Sequence, residues 1–230
     1  MTALILQARL DSSRLPGKSM LPLGGRPLIF RVMQALSFLS CQAKILACPE
    51  DAVSAFAPLA EEAGFSLAAG PRDDVLARFC IAIRRFSAEK IIRATGDNPF
   101  VFTDAAAALN EEALERDADY AAYSGLPYGA GVEAVSARAL LRAEREAREP
   151  PEREHVCPYL YGHGELFSLH RPLAPRRWQG AGLRITIDTH EDYERAQALY
   201  DALLPLPPSG RNLGENIISV HKKLFAGNGE

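Results

Sequence analysis

The sequence is short of cysteine, of unbalanced charge and of long apolar runs, and each shortage removes a class of protein. Its four cysteines, Cys41, Cys48, Cys80 and Cys157, form no C-x-x-C pair. That excludes a zinc ribbon or a disulfide scaffold and leaves buried thiols in a reducing compartment. Lys and Arg total 26 against 29 Asp and Glu, for a formal net charge of -3. The missing basic excess argues against a nucleic-acid binder, while a local site for a small anion remains open. No apolar run approaches the roughly 20 residues of a membrane helix, and Ala3-Leu4-Ile5-Leu6 is too short for the core of a signal peptide. A cytoplasmic protein without membrane contact is expected. Neither G-x-x-x-x-G-K-[ST] nor G-x-G-x-x-G is present, so the two commonest phosphate-binding glycine loops are excluded.

What the chain does have is an alternation of short apolar runs and amphipathic stretches. Residues 2–8, Ala43–Cys48, Phe65–Ala69 and Lys90–Thr95 read as buried strands. Between them lie helical patterns from Pro27 to about Leu39, from about Asp51 onwards with Pro58 limiting or kinking it, and from a cap at Asp73 to Phe86. Thr103 is expected to cap a helix to Arg116, and Tyr120–Tyr123 and Val132–Val135 read as further strands. Ser136 opens another helix to about Arg148; residues 150–182 read as partly irregular; Leu183–Ile187 reads as a strand. Thr189 caps the helix to about Leu204, with Asp192 an imperfect partner in its capping box because Asp is shorter than Glu. A proline-rich linker, 205–210, precedes a last helix, Glu215–Phe225. Strands alternating with helices define an α/β fold with a mostly parallel sheet covered on both faces.

The richest chemistry follows the first strand, in Gln7-Ala8-Arg9-Leu10-Asp11-Ser12-Ser13-Arg14-Leu15-Pro16-Gly17-Lys18. Open α/β sheets bind ligands beyond the carboxyl ends of their strands. A Pro-Gly turn between Arg14 and Lys18 can fold both cations towards one point, with Ser12, Ser13 and backbone N–H groups completing an anion cradle. Asp97 and Asp188 each end an apolar run, so two carboxylates delivered across this loop make a candidate Mg²⁺ site; Asp188 can equally cap the helix that follows.

The opening segment, continued by Leu21-Pro22-Leu23-Gly24-Gly25-Arg26-Pro27-Leu28, resembles the start of sugar-acid cytidylyltransferases, above all the spore coat polysaccharide biosynthesis protein F group. That group is similar to the 3-deoxy-manno-octulosonate cytidylyltransferases. Further blocks match in order: Asp73-Asp74-Val75-Leu76, Arg93-Ala94-Thr95-Gly96-Asp97-Asn98-Pro99, Gly131-Val132-Glu133-Ala134-Val135-Ser136, the segment Arg153 to Tyr159, and the segment Leu183 to Asp192. The resemblance implies a Rossmann-like nucleotide-diphospho-sugar transferase fold in one domain over 1–230. A nucleotide-binding half covers 1–123, an acceptor-binding half 124–204, and a linker and helix 205–230. It also implies transfer of CMP from CTP to a sugar acid with release of pyrophosphate, Mg²⁺ on Asp97 and Asp188, and a homodimer.

On this reading Arg14, Lys18 and Asp97 act in catalysis. Gln7, Ala8, Arg9, Ser12, Ser13, Arg72, Asp73 and Arg93 line the nucleotide, with backbone groups of residues 6–9 reading the base. Glu133, Arg153, Glu154, His155 and Arg184 face the acceptor, Arg184 alternatively bracing the metal aspartates. Gly131 departs from the group, which tends to carry an acidic residue there, so acceptor identity does not transfer. His163, His170, His190 and His221 lack ligand spacing. A glycosyltransferase is the first rival, on the D-x-D string Asp117-Ala118-Asp119, although that string precedes a strand and reads as a turn. A non-catalytic nucleotide-binding protein is the second.

Overall fold

The computed structural model describes residues 1–225. Its main sheet has seven strands in the order β5-β4-β1-β6-β8-β7-β9. Strands β1 (Thr2–Gln7), β4 (Ala43–Pro49), β5 (Ser66–Gly70) and β6 (Lys90–Thr95) run parallel, with β1 between β4 and β6. The chain leaves β1 towards β4 on one side and returns to β6 on the other, which makes the carboxyl end of β1 a topological switch point. A small antiparallel ribbon, β2 (Pro22–Leu23) and β3 (Arg26–Pro27), closes the loop after β1.

Alternating side chains of β1 serve two cores. Leu4 and Leu6 pack into the one beneath α1 (Leu28–Leu36), α2 (Val53–Glu62) and α4 (Thr103–Glu115). Ala3 and Ile5 pack into the other, beneath α3 (Val75–Phe86). That period of two, buried on both faces, is why the strand reads as a continuous apolar run.

Several elements differ from the sequence reading. Pro27 closes β3 instead of opening α1, and Asp51 sits in a 3-10 turn, Glu50–Ala52, ahead of α2. Pro58 lies inside α2 without ending it. The cap of α3 is Asp74, which accepts from Ala77 N at 2.9 Å, and Asp73 is exposed just outside. Thr103 is the first residue of α4, and its hydroxyl donates to Asn212 O.

The second half of the sheet is not parallel throughout. Strand β8 (Glu133–Ser136) runs antiparallel to β6 and to β7 (Tyr120–Ala121), and β7 pairs in parallel with the edge strand β9 (Leu169–His170). Helix α5 (Ala137–Glu146) follows β8, capped by Ser136 as expected. The irregular region holds α6 (Pro150–His155) and α7 (Pro158–Gly162).

Leu183–Ile187 forms no strand. Its contacts are a bridge between Tyr128 and Arg184 and a bond from Ile187 N to Asp97 O, 3.0 Å. The apolar side chains there face the core without a ladder neighbour, which sequence pattern alone does not separate from a strand. Helix α8 (His190–Leu203) carries a complete capping box, because Asp192 does reach the Thr189 backbone. Helix α9 (Pro208–Arg211) occupies the linker, and α10 (Gly214–Phe225) docks through Gly214 N on Asp104. The last five residues of the 205–230 segment lie outside the described residues. Among the described residues no helix is long and apolar enough to cross a membrane.

Candidate active site

A cleft of about 450 Å³ opens at the carboxyl ends of β1 and β6. Two backbone contacts build it. Gly96 N donates to Gln7 O at 2.8 Å, and a Cβ at Gly96 would stand 3.0 Å from the Ala8 Cβ, so any larger residue would have to push its neighbours aside where the two strand ends meet. Gly129, at φ 97°, lies against Thr186, where a Cβ would come within 2.6 Å of the backbone nitrogen. Together with the bond from Ile187 to Asp97, this second contact carries Asp188 to the side of Asp97.

The floor of the cleft is a charge cluster around Lys18. Its Nζ donates to Ile187 O at 2.6 Å, Asp97 Oδ2 at 3.2 Å and Asp188 Oδ1 at 3.3 Å. Arg14 Nη2 lies 3.0 Å from the same Asp188 oxygen, with most of its side chain in solvent. Gln7, Ala8, Arg9, Ser12 and Ser13 line the cleft beside this cluster, and Glu154 and His155 line it as well. A tight turn puts them there. Cys157 N bonds back to His155 O across buried Val156, whose φ of 72° is rare for a β-branched residue.

The arrangement around Asp188 is rigid. Arg184 Nη2 donates to Asp188 Oδ2 at 2.6 Å, and its Nε donates to Asp192 Oδ1 at 3.0 Å. Asp192 Oδ2 accepts from Asp188 N and Thr189 N, both at 3.0 Å. Burial pushes the Asp192 carboxyl up, but Arg184 and the two backbone donors outweigh it and hold its pKa below the ordinary value.

Five residues expected at ligands are turned elsewhere and do not line the cleft. Arg72 is exposed and bridges Asp11, at 2.8 Å, and Asp51. Asp73 faces solvent. Arg153 donates to Asp74 Oδ2 at 3.0 Å and to Glu144 O at 2.7 Å, tying α6 to the start of α3. Arg184 braces Asp188 and stacks over Tyr128 at 4.9 Å. Glu133 is part of a buried network, accepting from Arg93 and, at 2.7 Å, from the Tyr120 hydroxyl. Arg93 does reach the cleft, and it donates to Gln7 Oε1 from Nε at 3.2 Å and Nη2 at 3.0 Å. Burial works against its charge, and the Glu133 carboxylate restores it.

The structure adds residues that the sequence reading omitted, among them Val75, Arg78, Asn98, Tyr128 and Thr186. Asn98 was within reach, standing in a quoted block next to Asp97; its Nδ2 donates to Thr95 Oγ1 while its Oδ1 has no partner. The D-x-D string is spent on structure. Asp117 pairs with Lys90, and Asp119 accepts from Ser136 and Arg138, at the amino-terminal side of β7.

A mostly parallel sheet with a switch-point cleft, an Arg/Ser/Lys loop after its first strand and two carboxylates on facing segments define an α/β protein with an anion-binding site at its sheet's carboxyl edge. Comparison with known proteins narrows the class. A family model described as cytidylyltransferase matches residues 3–217. Over 203 residues the chain is 34% identical to the spore coat polysaccharide biosynthesis protein SpsF of Bacillus subtilis (strain 168), covering 85% of each. The chain therefore belongs to the cytidylyltransferase family and is a nucleotidyltransferase. Among solved structures, a cytidylyltransferase from Leptospira borgpetersenii superposes with a TM-score of 0.87 at 24% identity, covering 98% of this chain and 95% of that one. CMP:2-keto-3-deoxy-manno-octonic acid synthetase complexed with CTP superposes at 0.68 and 16% identity, covering 87% and 98%. At these identities the two structures speak for the fold.

Proposed function

We propose that the protein transfers CMP from CTP to a sugar acid, or a related polysaccharide precursor, with release of pyrophosphate. The observation that carries this reading is the convergence of Asp97 and Asp188 on one ammonium beneath the loop of Ser12, Ser13 and Arg14. It fits with SpsF, named for polysaccharide biosynthesis, and with a synthetase of the same fold complexed with CTP.

The residues present fit a divalent cation. Two carboxylates converge on one point, the Lys18 ammonium, beside an anion loop. Mg²⁺ takes few protein carboxylates and fills its octahedron with water and phosphate oxygens. Asp97 and Asp188 would hold it, and it would supply charge neutralisation at the reacting phosphate. Lys18, already between the two carboxylates, moves its charge by a short side-chain rotation onto a phosphate oxygen. Arg14, free over most of its length, follows the leaving pyrophosphate. Attack by an acceptor oxygen in line with that leaving group needs no covalent enzyme intermediate. Glu154 and His155 face the acceptor, while Arg184 and Arg93 act by fixing Asp188 and Gln7.

Thermal unfolding with CTP, UTP, GTP and ATP, each with and without Mg²⁺, tests the nucleotide part. A ligand at about a hundred times its Kd adds roughly 2.7 kcal/mol, a shift of several degrees for a chain of this size. Selective stabilisation by CTP is expected; no shift with any of the four contradicts the reading.

A further inference from the structure

Near the start of α3 the cleft holds a buried cation that forms no ion pair among the described residues. Arg78 lines the cleft and is 2% exposed. Its Nε is buried without a partner, and its one hydrogen bond among the described residues is a long donation from Nη1 to Arg72 O, 3.4 Å. Burial pulls its pKa below the ordinary arginine value, and the more distant carboxylates of Asp11 and Asp73 offset this only in part. A guanidinium does not shed its proton to escape burial, and an unpaired buried charge is strongly unfavourable. A guanidinium so poorly satisfied, on a residue that lines a ligand cleft, is a candidate to bind the ligand.

Its position says which part of a nucleotide arrives there. Arg78 packs against the end of β5, where a Cβ at Gly70 would come within 2.8 Å of its Cγ. Asp97 follows β6, three strands away across the sheet. At about 4.8 Å per strand the two strand ends stand roughly 14 Å apart. Arg14, Lys18 and both carboxylates occupy the β6 side, so the phosphates belong there. The end at Arg78, with Val75 one turn earlier on α3 also lining the cleft, is left for the base.

We propose that Arg78 reads the pyrimidine edge, donating two N–H groups to O2 and N3 of cytosine. This rests on the CTP reading above and assigns its base selectivity to a side chain. In cytosine O2 and N3 are adjacent acceptors, which a planar fork of donors matches as it matches O6 and N7 of guanine. In uracil N3 carries a hydrogen, so the same fork meets a donor and the buried guanidinium loses a partner.

The test is calorimetric titration of CTP, UTP and 3-deaza-CTP, with Mg²⁺, into the wild type, Arg78→Lys and Arg78→Met. The wild type is expected to prefer CTP over UTP, and over 3-deaza-CTP, by roughly 10- to 100-fold, the scale of one bidentate pair. Both variants, Lys keeping the charge and losing the fork, are expected to bring these ratios within about threefold of unity. Unliganded unfolding temperature should not fall in Arg78→Met. If neither variant folds, the 3-deaza comparison on the wild type decides alone. Equal weakening of all three ligands would place Arg78 on a phosphate and overturn the proposal. Variants that keep the wild-type preference overturn it and leave the CTP reading standing, whereas a wild type that binds none of these nucleotides sinks both.

Discussion

The two walls of the cleft handle charge differently. On the wall formed by the loop after β1 and by α3, the cations Arg9, Arg14 and Arg78 have no internal carboxylate of their own or share one that belongs to the cleft. Around the returning wall the arginines are already matched: Arg93, at the cleft, with Glu133, and Arg153 and Arg184, which do not line it, with Asp74 and with Asp188 and Asp192. Arg78 and Arg93 show the contrast best, since both are largely buried and both line the cleft. One is balanced by the fold and the other is not. A buried charge with its own partner stabilises a geometry, and one without a partner waits for a ligand.

Asp97 should give the largest effect if this division is right. Among the described residues its carboxylate bonds only to Lys18, and it is 31% exposed, so Asp97→Asn is expected to lower kcat at least about a hundredfold with little change in unfolding temperature. Near-normal turnover would take Asp97 out of the reaction. On the returning wall the weight shifts to stability. Glu133→Gln strands Arg93 in the interior, at a cost of about 3 kcal/mol in urea unfolding. The double variant Arg93→Met, Glu133→Leu should recover more than half of that. A loss below about 1 kcal/mol in the single variant would mean that the network is not a brace.

A smaller, pH-dependent effect belongs to Asp192. Its folded pKa is depressed, so its contribution is fully present above the unfolded value near 3.9 and is lost as pH falls through the lower folded value. Asp192→Asn should cost about 1.5–3 kcal/mol at pH 7, the scale of hydrogen bonds to a charged group. The difference from wild type should vanish in acid, and a gap that persists below pH 2 would contradict the assignment. The smallest effect concerns the thiols. Burial raises Cys48 to about 11 and Cys80 to about 12, and Cys157 is raised well above its ordinary value. None of the three should be alkylated in the native protein at pH 8, as read by mass spectrometry.

The same division explains what the sequence could tell. The first wall was legible because regular elements build it. Strand β1 is apolar on both faces and β4 and β6 carry short apolar runs, and the loop after β1 carries its cations in one continuous segment. Asp97 was legible for the same reason, as a carboxylate at a strand end. The second wall was read less well because its contacts join distant segments. Nothing local marks Glu133 as the partner of Arg93, or turns Arg184 towards Asp188. The antiparallel entry of β8 and the missing ladder at 183–187 are pairing facts that an apolar run does not encode. Arg78 was missed although a signal existed. It lies on the stripe of α3 shared with Val75, Phe79 and Ala82, all buried, and a charge on an apolar stripe marks a residue with a task.

The most direct measurement of the central claim is pyrophosphate release from CTP, UTP, GTP and ATP with Mg²⁺ and a panel of sugar acids, run on the wild type and Asp97→Asn. Release is expected from CTP with at least one sugar acid, dependent on added metal and lost in the variant. Release that is indifferent to Asp97, or a wild type that binds CTP and Mg²⁺ yet turns over with no acceptor, would contradict it.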